Sequence, residues 1–172
     1  MDMKADTVIR DKLGFTLEDW ILALLAYSGG TIEGATRIQK GLFLVKMEIE
    51  GTVPADYVPG DYGPYSVDVS RAIEALKKKG LITETRGNWG DESQARVFTL
   101  TSDGKKKAKK VLEILKKSKE WNKIEEYIRT ATKDPLMRLL VIVYNWYPEY
   151  SKVSKIRRKV DYWTRKMLKW NF

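Results

Sequence analysis

The chain has 172 residues, 43% hydrophobic and 32% charged, a globular balance that allows one domain of ordinary size or two small ones. It contains neither Cys nor His, which excludes disulfides, thiolate nucleophiles, Ser-His-Asp triads and zinc sites built on nitrogen or sulfur ligands. The net charge of +9 is unevenly placed: residues 1–104 hold 12 Lys/Arg and 16 Asp/Glu, whereas residues 105–172 hold 20 and 7. A basic C-terminal part points toward a polyanion such as nucleic acid, or toward an anionic membrane surface. Only two Gln and four Asn stand beside many Lys and Glu, a composition that fits a thermophile.

Residues 1–14 read as a polar lead-in, with Asp2, Asp6 and Asp11 where a secretory signal would need an apolar stretch. Thr16 is a candidate N-cap with Asp19 as its capping-box partner. The helix it opens runs to about Ser28, stops at Gly29-Gly30, and is apolar nearly all round, which predicts a central, buried position. The run Trp20 to Tyr27 is the longest apolar stretch, well short of the about 20 residues a membrane span needs. The expectation is a cytoplasmic protein without a membrane span.

Thr31-Ile32 suits a short strand. A second helix is predicted over 35–49, with Ile38, Leu42, Val45 and Ile49 on one stripe. The segment TVPADYVPGDYGPY, 52–65, carries three prolines five apart and reads as loop or extended chain. Ser66 caps a third helix, 66–79, whose buried stripe is Val69, Ala72, Ile73 and Leu76. Lys77, Lys78 and Lys79 sit at the negative end of its dipole, before Gly80. Residues 81–86 and 95–101 form a hairpin around the turn 87–94. A fourth helix, from Thr101 or Ser102 to Ser118, has Ala108, Val111, Leu112 and Leu115 on one face and seven lysines on the other. Further helices are predicted over 121–131, 135–146 and 152–169, the last with Ile156, Val160, Trp163 and Met167 on one stripe.

The expected class is mainly α with a small β-hairpin: a winged helix-turn-helix followed by an α-helical C-terminal extension. Its parts are a polar segment 1–14, a winged-helix domain 15–104 and a basic helical region 105–172, packed on the winged helix or dimerising. The segments KKKGLIT and VFTLTSDGKK resemble a stretch shared by winged-helix regulators, PadR-like ones among them. TRIQKGLFLV, then DYGPYSVDVSRAIEALKKKGLI, and later LLVIVYNWYPEYSKVSKI resemble the YwgA-like family and the Panacea antitoxin domains, in which a lysine-bearing helix precedes a Tyr-Gly-Pro segment. The resemblance covers about residues 31–156 and implies a module of regulation, antitoxin or defence systems, with no catalytic residues to carry over.

In a winged helix the third helix reads the groove and the hairpin is the wing. The candidate DNA-binding residues are therefore Ser66, Ser70, Arg71, Lys77 and Lys78 on the helix and Arg86 and Arg96 on the wing. Arg157, Arg158 and Lys159 are candidates for phosphate contacts. Against this, Asp68 and Glu74 oppose phosphate, Asp91 and Glu92 mark the wing tip beside Trp89, and about sixteen residues separate Ile49 from Ser66, where a minimal helix-turn-helix uses about three or four. The alternative is a protein-interaction module, for a toxin or another partner, centred on Tyr57, Tyr62, Gly63, Pro64 and Tyr65 and on the C-terminal helices. The C-terminal apolar stripe predicts a homodimer. The sequence offers no P-loop, and Glu74 with Lys77 is an ordinary helix-surface pair. The expectation is a non-enzyme without cofactor or metal.

Overall fold

A computed structural model describes residues 8–87 and 95–170. The predicted wing tip, with Trp89, Asp91 and Glu92, lies outside them. Helix α1 (Leu17–Tyr27) opens with the full capping box: the Thr16 hydroxyl accepts from the Asp19 N–H, and the Asp19 carboxylate accepts from the Thr16 N–H. Strand β1 (Thr31–Glu33) and helix α2 (Ala35–Glu48) follow. The segment read as loop or extended chain contains a short antiparallel ribbon, β2 (Val58–Gly60) with β3 (Gly63–Tyr65). Ser66 then caps α3 (Val67–Lys78) through the Val69 N–H. Strands β4 (Ile82–Arg86) and β5 (Arg96–Leu100) pair, and β1 joins them in an antiparallel sheet of order β1-β5-β4.

The C-terminal part consists of α4 (Ser102–Lys116), α5 (Trp121–Lys133), α6 (Leu136–Trp146), a 3-10 turn at Pro148–Tyr150 and α7 (Arg157–Trp170). The molecule is thus mainly helical, with seven α-helices and a small antiparallel sheet among the described residues. Helix α7 starts five residues later than predicted. The Lys155 N–H is spent on the Asp61 carbonyl at 2.7 Å, and Ser151 and Ser154 close local turns, so residues 152–155 stay outside the helical ladder, which begins where the Ile156 carbonyl accepts the Val160 N–H. Among the described residues no helix is long and apolar enough to cross a membrane.

Two apolar clusters form the core. The first gathers α1 (Trp20 to Leu25), one side of α2 (Ile38, Leu42, Val45), the α3 stripe, Ile82, Phe98 and Leu100 of the sheet, and Ala108, Val111, Leu115, Ile124 and Ile128 of α4 and α5. The second joins Phe43 and Leu44 of α2 to Ala131, Leu139, Leu140, Val143, Tyr144 and Val160. Helix α2 is therefore buried on two sides, where its sequence stripe marked only one. Its approach to α5 is close: a Cβ on Gly41 would lie 2.5 Å from the Ala131 Cβ. The division at residue 104 falls inside α4, and the first cluster runs across it.

The described end of the polar lead-in, residues 8–14, is tied to this core through Asp11. Asp11 accepts the Trp20 indole N–H at 2.6 Å and the Val53 N–H at 3.1 Å with one carboxylate oxygen, and the Leu13 and Phe15 N–H groups with the other. One carboxylate thus satisfies donors from the lead-in, α1 and the loop after α2.

Candidate functional site

The residues predicted to face DNA divide into three groups. Ser66 is fully buried; its hydroxyl is the α3 cap and its backbone N–H and C=O are held by the Gln39 amide. It cannot reach a phosphate, because the position that caps a helix against the core is closed to solvent. Ser70 is half-buried and bonded to Gln39 and to the Tyr65 hydroxyl at 2.8 Å. Lys77 and Arg96 are paired within the protein. The Arg96 guanidinium donates to Glu84 Oε1 at 3.0 and 2.6 Å, which, ahead of burial, holds that carboxyl below the usual range. Lys77 bridges Glu74 at 3.2 Å and Glu84 at 3.5 Å. Arg71, Lys78 and Arg86 are exposed and, among the described residues, make no ion pair.

The strongest unpaired charge lies elsewhere. On α4 the side chains of Lys105, Lys106, Lys107, Lys109, Lys110 and Lys116 are exposed, as is that of the C-cap Lys117, and none of the seven forms an ion pair among the described residues. Burial of Ala108, Val111 and Leu115 against α1 turns the opposite face outward. Lys107 lines one cleft with Arg71 and Lys79, but that cleft also holds Glu18, Asp19, Asp56 and Asp68, and Lys79 is paired with Glu18 at 2.6 Å. A second basic face lies on α7, where Arg157, Arg158, Lys159, Arg165, Lys166 and Lys169 are exposed.

The predicted partner loop is largely built into the core. The Tyr57 ring packs edge-on against Phe43 at 5.1 Å and its hydroxyl donates to the Gln39 carbonyl at 2.8 Å. Gly63 and Pro64 are buried. Gly63, at φ +89°, lies against the Tyr144 ring, which a Cβ would approach to 2.7 Å. Burial of Gly63 and Pro64 and half-burial of Tyr57 take these three out of the predicted partner surface: the apolar back of the ribbon seals α2 and α6. Tyr62 and Tyr65 remain exposed, at 54% and 40%.

Beneath the ribbon lies a feature that sequence reasoning missed. A cavity of about 380 Å³ is lined by Lys40, Asp61, Tyr62, Tyr65, Ser70 and Arg96, among others. Lys40 is only 3% exposed, and no hydrogen bond or ion pair holds its ammonium among the described residues. Burial pulls its pKa down to about 8. The signal was present in the helix pattern: Lys40 shares a face with Phe43 and Leu44, three and four residues on, and both are fully buried. Compared with protein-family models and with curated proteins, the chain matches none.

Proposed function

We propose that the protein is a duplex-DNA-binding regulator of winged-helix type that acts as a homodimer. The order α1, α2, α3, hairpin and following helix supports the winged-helix assignment, with α3 as the recognition helix. The observation that carries the binding function is the row of six exposed lysines on α4 with the C-cap Lys117, none of them ion-paired among the described residues. Ammonium groups on one helical face match a line of phosphates, and each neutralised phosphate releases condensed counterions. Because Lys77 and Arg96 are already paired with carboxylates, base contacts fall to Arg71, Lys78 and Arg86. Affinity then comes from α4 and α7.

Titration of random and enriched duplexes at several salt concentrations tests this. Each phosphate contact contributes about 0.9 to the slope of log K against log salt. Replacing Lys105, Lys106, Lys107, Lys109 and Lys110 by Gln should flatten that slope and weaken all duplexes alike. Arg157, Arg158 and Lys159 replaced together should do the same to a smaller degree. Arg71→Ala should lose about 1–3 kcal/mol on the preferred site and little on random DNA. No binding of any duplex at low salt would overturn the DNA assignment. The protein-recognition alternative would then take its place, favoured by the exposed Val58, Tyr62, Tyr65 and Val67 around the ribbon.

The dimer rests on α7. Val160 docks it on α6, while Trp163 and Leu168 stay 40% and 56% exposed, and Tyr162 of α7 and Trp146 of α6 are exposed as well. Light scattering should give twice the chain mass for the wild type and the single mass for a Trp163→Glu, Leu168→Glu double variant. A monomeric wild type would refute the dimer.

A further inference from the structure

Among the described residues three charged side chains line the cavity under the β2–β3 ribbon, and two of them are neutralised from outside it. Asp61 is paired with Lys155 at 3.1 Å, a contact reinforced by the Lys155 N–H on the Asp61 carbonyl. Arg96 is held by Glu84. Lys40 alone has no partner among the described residues, although it is the most deeply buried of the three. An unpaired ammonium out of water is unfavourable, and chains normally remove it by pairing or by carrying the head to the surface. Here pairing does not occur, since Asp61 is committed to Lys155; the side chain is 3% exposed, and its ammonium meets solvent only through the cavity that it lines.

The cavity thus carries one uncompensated positive charge when Lys40 is protonated. Its volume of about 380 Å³ suits a small molecule and not a polymer segment. Tyr62 and Tyr65 offer aromatic surface. The Ser70 and Tyr65 hydroxyls, bonded to each other at 2.8 Å, offer a neutral donor on the same wall. The neighbouring Gln39 contributes no free group, since its amide is consumed by Ser66 and Ser70. That clamp fixes α2 against α3 and so fixes the place from which Lys40 enters the cavity.

We infer that this cavity binds a small organic anion, with a carboxylate or phosphoryl group on the Lys40 ammonium and the body of the ligand against Tyr62 and Tyr65. The site is separate from the basic faces assigned to DNA and stands or falls independently of them.

The full chain, carrying 13C at the lysine ε-carbons, can be titrated with benzoate, with inorganic phosphate and with neutral benzamide. Benzoate or phosphate should displace the Lys40 resonance and raise the thermal midpoint; benzamide should do neither. Lys40→Met should bind the effective anion at least about tenfold more weakly, the loss expected for a charge-assisted hydrogen bond. Replacing Lys105, Lys106 and Lys107 by Gln should leave the response intact, which separates the cavity from the α4 surface. A response to benzoate alone identifies a carboxylate ligand, and one to phosphate alone a phosphoryl ligand. A Lys40 resonance unmoved by either anion at millimolar concentration would overturn the inference, as would equal binding by Lys40→Met. The resonance is read in the wild-type chain, so the test holds even if the variant fails to fold.

Discussion

Gly104→Ala is expected to destabilise the protein by about 3 kcal/mol, the upper end of overpacking penalties. A Cβ on Gly104 would lie 1.8 Å from the Leu81 carbonyl oxygen and 2.8 Å from its carbon. Both are backbone atoms, so no rotamer change relieves the contact. The Leu81 carbonyl cannot retreat either, because it accepts the Thr101 N–H at 3.0 Å. Thr101 completes the joint: its hydroxyl donates to the Gly80 carbonyl at 2.6 Å and accepts from the Gly104 N–H at 3.0 Å. The end of α3 and the start of α4 are thereby fastened across β4 and β5. Gly29→Ala is the control. Its backbone has φ +94°, but an added Cβ meets nothing within 4 Å, so only the left-handed strain of about 1–2 kcal/mol applies. Urea denaturation of both variants checks the pair; a smaller loss for Gly104→Ala than for Gly29→Ala would show that the joint yields.

The same joint explains how far the sequence could be read. Gly-Leu-Ile at 80–82 and Leu-Thr-x-x-Gly at 100–104 were visible as short patterns, and each is local chemistry: a C′ glycine, an N-cap threonine and a glycine against backbone. The caps at Thr16, Ser66 and Thr101 were legible for the same reason, since a cap is decided within four residues. What escaped was set by contacts distant in sequence. Ser66 looks the same as a cap and as a phosphate donor until Gln39, 27 residues earlier, closes over it. Arg96 becomes unavailable only once the register is known. Glu84 stands opposite Phe98, which places Arg96 diagonally beside it on one face of the hairpin. The ribbon at 58–65 was hidden because its prolines and glycines argue against strand, yet Gly60 and Gly63 pair at its turn. Lys40 was hidden because one stripe on α2 accounted for its burial, and the second stripe, Phe43 and Leu44, faces helices about a hundred residues downstream.

Lys40→Met should raise stability near pH 7 by about 3 kcal/mol, provided no anion is bound. The folded pKa of Lys40 is about 8 against an ordinary value of 10.5, and each unit is worth about 1.36 kcal/mol. The sign follows from proton counting. Between about pH 8 and 10.5 the unfolded chain holds a proton on Lys40 that the folded chain has released, so wild-type stability rises with pH through that window. Below about pH 8 both states are protonated and the penalty of the buried charge is fully present. Methionine fills a similar volume without charge, so the variant lacks both the penalty and the rise. Asp61, Tyr62, Tyr65 and Arg96, which line the same cavity, are common to both chains, so the difference between the two stability curves isolates Lys40. Urea unfolding at a series of pH values from about 7 to 10.5 should show the variant ahead at neutral pH and the two chains converging as the lysine deprotonates. A difference that stays flat across the window would mean that the Lys40 ammonium finds water or a partner in the folded chain. The convergence, if found, establishes a charge that works against folding at neutral pH, and such a group is placed where a negatively charged ligand can recover the loss on binding.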